Sequence, residues 1–243
     1  MTRIFFVPFS SQLEKPIRIY PVSFSRRSVS VNLLSLRKLL RKVKNELKQK
    51  EEVKEEIQKN MRRATRLSKE AILLIHQRRL AEARKSLEET DRLFSILTTL
   101  VREYPELSYS GPVSAAFQEY TEAQMLLCLV EKRRFIGPQE INVPSIDYVL
   151  GLADVIGELR RRALDMLRKG EIKTAEQCLE TMEEIFSELT AMDDAYMLIP
   201  GLRRKCDIAR HVIETTRGEI TIESRRASLE RSIRKLEKAM TMK

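Results

Sequence analysis

The sequence predicts an all-α fold: seven helices in antiparallel succession, preceded by a disordered tail. Three observations lead there. Helix formers dominate a chain of 243 residues with 33% charged residues, no Trp, and only 7 Gly and 8 Pro. Apolar side chains recur three and four apart over long stretches, the period of a helix with one buried face. Most glycines and prolines beyond residue 30 fall between those stretches, where helices must stop.

Residues 1–30 carry Pro8, Pro16, Pro21 and the run Ser25-Arg-Arg-Ser-Val-Ser30 without a helical period. They are expected to be a disordered tail, or an artefact of start-site assignment, with translation beginning near Val29–Val31. N-terminal sequencing of the native protein decides between the two. Residues 31–243 are expected to form one helical domain. A first helix runs from Leu33 to about Gln77, with Leu36, Leu39, Leu40 and Val43, then Leu67, Ala71, Leu74 and Ile75, at helical spacing. Glu and Lys mix between them three and four apart, which supports an exposed helix. A second spans about Leu80–Glu103 and is closed by Pro105. A third runs from Val113 to about Arg134, stopped by Gly137-Pro138. Pro144 opens a fourth over Ser145–Arg168, with Gly170 as its C′ residue. A fifth covers Ile172–Met192, a sixth starts at Pro200 and ends at Gly218, and a seventh covers about Ile222–Met240.

The formal net charge is +10, which favours polyanionic partners through counterion release but also simply keeps a protein soluble. Cys128, Cys178 and Cys206 are scattered and odd in number, so neither a zinc cluster nor a disulfide framework is indicated, and a reducing, cytoplasmic setting is expected. No apolar run is long enough to cross a bilayer. His76 and His211, the two histidines, lie far in sequence from the acids discussed next and read as packing or surface residues. They give no support for a Ser/His/Asp or Cys/His catalytic group.

Charged residues are common along the chain, yet from Val113 to Val130 the only ones are Glu119 and Glu122, three apart on one helix face. From Tyr148 to Leu159 the only ones are Asp154 and Glu158, four apart. Like-charged carboxylates on one face repel, and a hard divalent cation relieves that repulsion. Helices 3 and 4 are expected to pack antiparallel across a short loop, so the two pairs could converge on one or two ions. On these residues alone, a metal-holding cluster and two solvated acid pairs both stay open.

The same segments carry a resemblance. Phe117-Gln-Glu-Tyr-Thr-Glu-Ala123 and Asp147-Tyr-Val-Leu-Gly-Leu-Ala-Asp-Val-Ile-Gly-Glu-Leu159 resemble the translin family, and within it the translin-associated factor X (Trax) branch. Ser68-Lys-Glu-Ala-Ile-Leu-Leu-Ile-His76 is similar to a first-helix segment of that branch. The resemblance covers roughly residues 33–220. It implies a seven-helix subunit that assembles into a hollow, closed octamer, here a homo-octamer. It also implies a metal-dependent endoribonuclease acting on single-stranded or nicked duplex RNA, with Mg²⁺ or Mn²⁺ as cofactor. The catalytic and metal-holding acids of that branch fall on Glu119, Glu122, Asp154 and Glu158. The translin branch lacks the two helix-3 acids, so this chain sides with the nucleases. It departs from the family pattern at Thr121 and Ile156. The family's nucleotide-binding loop is not recognisable at Lys169-Gly170-Glu171, so GTP binding is not predicted.

RNA phosphates need cations near the acids. Arg62, Arg66 and Lys69 share a face of helix 1, and Arg133 and Arg134 follow the helix-3 acids. Arg160, Arg161 and Arg162 follow Glu158 and serve either a phosphate or the helix dipole. Phe117 and Tyr120 are expected in the core. Recognition would then rest on backbone charge and shape rather than base identity. Two other readings remain: a translin-like nucleic-acid-binding module without catalysis, and a helical scaffold for acidic protein partners.

Overall fold

A computed structural model of the chain describes residues 33–241; the expected tail, residues 1–30, lies outside the described residues. The elements are α1 (Leu33–His76), α2 (Leu80–Glu103), α3 (Gly111–Lys132), α4 (Ser145–Arg168), α5 (Ile172–Thr190) and α6 (Leu202–Thr241). Short 3₁₀ turns occupy Pro105–Tyr109 and Asp193–Ala195. Among the described residues there is no strand.

The chain divides into two units, residues 1–44 and 45–243. In the described part of the first, α1 exposes Leu36, Leu39, Leu40 and Val43. The second unit holds the core. Met61, Ala64, Ala71 and Ile75 of α1 pack in one cluster with Leu87 of α2, Val113, Met125 and Leu126 of α3, Val155, Ile156 and Leu159 of α4, and Met182 and Leu189 of α5. Helix α4 is central, packed on α3, α5 and α6.

Two expectations are corrected. The predicted sixth and seventh helices are one helix, α6, which runs through Gly218. A helical glycine costs only about 1 kcal/mol. Thr216 and Ile220, buried at 0% and 4% exposure on either side of it, hold the helix in register against the core. Arg160 reinforces this by donating to Thr216 Oγ1 (2.7 Å) and Glu219 Oε1 (3.0 Å).

The second correction concerns direction. Helices α3 and α4 run parallel, not antiparallel. Ser114 pairs with Asp147 near the start of both helices, Gln118 meets Gly151 next, and Leu129 and Leu159 line one cavity further on. Residues 133–144 are therefore not a tight turn but a return segment along α3. Ile136, Ile141 and Val143 bury there, and Tyr148 donates from its hydroxyl to Ile136 O at 2.6 Å. The α4–α5 connection is short, as expected. Gly170 lies at φ +75°, its N–H bonds Leu167 O at 2.9 Å, and Glu171 N–H bonds Met166 O at 2.9 Å, a left-handed helix stop.

Candidate metal and RNA site

The position of α3 is set from two sides. Phe117 and Tyr120 pack on Phe94 of α2, stacked at 4.4 Å and edge-on at 5.1 Å between ring centroids; Tyr120 lies in the core, as the sequence suggests, and Phe117 is half-buried against it. Toward α4, Thr121 is fully buried and lies against Gly151. A methyl group added at Gly151 would stand 2.6 Å from Gln118 O and 2.7 Å from Thr121 Cβ. Glycine there is a packing requirement: it lets the two backbones approach closely, one residue before Glu122 and three before Asp154.

This approach brings the four acids into one neighbourhood. The Glu122 carboxyl is pushed up to about 8, first by burial, then by the negative charges of Asp154, Glu119 and Glu158, with Lys205 opposing. Each of the other three acids meets a cation. Lys69 Nζ lies 3.2 Å from Glu119 Oε1. Lys205, on α6, binds Asp154. His76 Nε2, on a side chain 5% exposed, donates to Glu158 Oε2 at 2.5 Å, and Arg161 stands 3.7 Å from the same oxygen. Among the described residues, no group of three or more His, Cys, Asp or Glu is placed to hold a metal ion. The donor set is nonetheless all carboxylate oxygen, the chemistry that Mg²⁺ and Mn²⁺ select.

Of the cations expected to meet RNA, Lys69 is at the cluster, while Arg62 and Arg66 are exposed on the preceding turns of α1. Arg133 and Arg134 lie further off, beyond the end of α3 and about 16 Å along its axis from Glu122. Arg133 takes a left-handed conformation (φ 51°) and donates to Gln177 at 3.3 Å. Arg134 is engaged by Glu140 at 2.8 Å. Arg160 ties α4 to α6 rather than facing the acids.

Two residues at the cluster escaped the sequence analysis. His76 is not a mere packing residue. It lies two turns beyond Lys69, so both project from one face of α1, a spacing that could have linked them. Lys205 sits in the run Arg203-Arg204-Lys205, and nothing in sequence separates it from its exposed neighbours. The three cysteines are buried and free. No described helix is long and apolar enough to cross a membrane.

A model of the Translin family matches residues 52–240. An uncharacterized protein of Methanocaldococcus jannaschii is 33% identical over 140 residues, which is 57% of this chain and 61% of that protein. Among solved structures, AfC3PO is similar with a TM-score of 0.70 and 32% identity, over 76% of this chain and 96% of that one. AfC3PO in complex with duplex RNA gives 0.69 and 32% over the same shares. Apo-NeC3PO gives 0.68 and 26%, again over 76% and 96%.

Proposed function

The chain belongs to the Translin family, and from that premise we propose that it is a Trax-like, Mg²⁺- or Mn²⁺-dependent endoribonuclease that cleaves single-stranded or nicked duplex RNA. Glu119, Glu122, Asp154 and Glu158 are its metal-holding residues. The observation that carries the proposal is the gathering of four carboxyls from α3 and α4: burial and the charges of Asp154, Glu119 and Glu158 all oppose ionisation of the half-buried Glu122, and Lys205 alone opposes them. A structural surface has no need to gather four like charges, whereas a divalent-ion site does. Bound there, the ions supply an activated water and stabilise the leaving oxygen of a phosphodiester.

The chain's own residues do the rest. Gly151 fixes the spacing of the two acid-bearing helices. His76 orients Glu158 through its N–H. Arg62, Arg66 and Lys69 offer charge to the RNA backbone, and Arg133 and Arg134 offer a second, more distant patch. The solved similarity of AfC3PO, captured with duplex RNA, supports RNA as the partner. Assembly into a closed homo-octamer is part of the same proposal.

A gel assay with labelled single-stranded RNA tests it. Cleavage is expected with Mg²⁺ or Mn²⁺ and none with EDTA. Glu122→Ala and Asp154→Ala are expected to fold and bind RNA but not cut it; variants that cut like the parent refute the assignment. A second reading, a non-catalytic RNA-binding module, draws on Lys69, Arg161 and Lys205, the cations that already stand beside three of the four acids. It expects retained, salt-sensitive RNA binding with intact RNA under every metal condition.

A further inference from the structure

Lys205 has no part in the site as drawn from sequence, yet it is the α6 side chain that reaches the carboxylate cluster. Its ammonium binds Asp154, and its charge acts on Glu122. The pair is partly shielded, with the Lys205 side chain 26% exposed and that of Asp154 37% exposed. On one side the lysine faces apolar groups: Ala153, Ile156, Ile208, Ala209 and Val212 line the small cavity it shares with Asp154 and Gly157. On the other flank, Lys69 holds Glu119 in the same manner. Two lysines from two different helices thus bracket the acids, each on a carboxylate that a divalent ion would need.

A lysine and a divalent ion compete for one carboxylate, because both are drawn by the same negative charge and the oxygen's lone pairs are finite. An ammonium released into a pocket beside a bound ion is repelled by the ion and attracted by the nearest phosphate. Lysine suits this exchange: its charge sits on a flexible four-carbon stem with rotatable donors. We infer that Lys205 is a metal-gated phosphate contact, paired with Asp154 when no divalent ion is present and transferred to the RNA backbone when one binds. This rests on the proposed carboxylate metal site.

The test is RNA affinity measured by fluorescence anisotropy, on the full chain, with a labelled single-stranded RNA. Parent and Lys205→Met are compared over a range of KCl, once in EDTA and once in Ca²⁺, with the RNA shown uncut on a gel afterwards. In Ca²⁺ the variant is expected to bind about tenfold more weakly. Its log–log salt slope should then be shallower by about 0.7, the share of one single-strand phosphate. In EDTA the two proteins should bind alike. Lys205→Arg retains the charge and is expected to keep the parent's slope in Ca²⁺, which also covers a Lys205→Met variant that fails to fold. Equal losses in EDTA and Ca²⁺, or none in either, overturn the exchange. A parallel titration calorimetry experiment with Mn²⁺ on the parent and on Asp154→Asn separates the causes. Mn²⁺ binding that depends on Asp154, without the gated slope, sinks this inference alone; no Mn²⁺ binding at all sinks the metal-site assignment and this inference with it.

Discussion

Replacing Glu122 by Gln gives the sharpest test of the carboxylate cluster. The ordinary carboxyl of an unfolded chain titrates near 4.5, whereas Glu122 in the folded protein is pushed up to about 8, burial acting first and three neighbouring acids next. The folded state therefore keeps a proton that the unfolded state gives up. Stability is full below about pH 4.5, declines as pH rises, and the loss is complete once pH passes about 8. Each pH unit in that window costs about 1.4 kcal/mol. Because Glu122 is only partly screened from solvent, a total of about 3–4 kcal/mol is a reasonable ceiling. Glu122→Gln is nearly isosteric and cannot ionise, so it should lack this slope. Urea denaturation in EDTA at pH 5, 6, 7 and 8 reads it directly, as the difference between parent and variant. The variant should overtake the parent at pH 8. Adding Mn²⁺ should restore the parent at pH 8 and leave the variant nearly unchanged, because an ion that binds the carboxylate replaces the proton. Parallel stability profiles for the two proteins would show that Glu122 is not held among like charges, and the reasoning would fail.

Gly151→Ala is expected to lose about 1–3 kcal/mol, since the new methyl meets Gln118 O and Thr121 Cβ well inside contact distance and a helix-propensity gain of about 1 kcal/mol offsets only part of it; thermal melts unchanged from the parent would mean that the helices separate at no cost. His76→Ala should weaken Mn²⁺ binding about tenfold or more while the fold persists, measured by calorimetry, because Glu158 loses the N–H that orients it; unaltered affinity would remove Glu158 from the site. Combined Arg62→Ala and Arg66→Ala should lower RNA affinity about equally for unrelated sequences and make the salt dependence shallower, whereas a sequence-dependent loss would point to base contacts.

The two acid pairs were legible in the sequence because their signal is local; that they meet was not, since it depends on how α3 and α4 pack. Glu119 and Glu122, and Asp154 and Glu158, are isolated charges in apolar stretches, and helical periodicity alone puts each pair on one face. Helix limits for α1, α2 and α4 were likewise written in Gly and Pro placement and apolar spacing. The same local logic misled at Gly218, where tertiary burial of Thr216 and Ile220 outweighs the modest cost of one glycine in a helix. It misled again at residues 133–144: a Gly-Pro pair marks the end of α3 but carries no information on where the following chain travels.

Sequence by itself therefore determined the first five helices to within about two residues at each end, and the two acid pairs, since these follow from periodicity within a few turns. The tertiary structure alone decided that α3 and α4 run parallel, that Gly151 sits where their backbones approach closely, and that Lys205 and His76 arrive at the acids from elements remote in sequence. The physical reason is that a partner's charge acts through space, whereas a sequence motif records only neighbours along the chain. Which cation stands beside which carboxylate is settled by how whole helices pack, and packing is the sum of many apolar contacts that no single motif encodes.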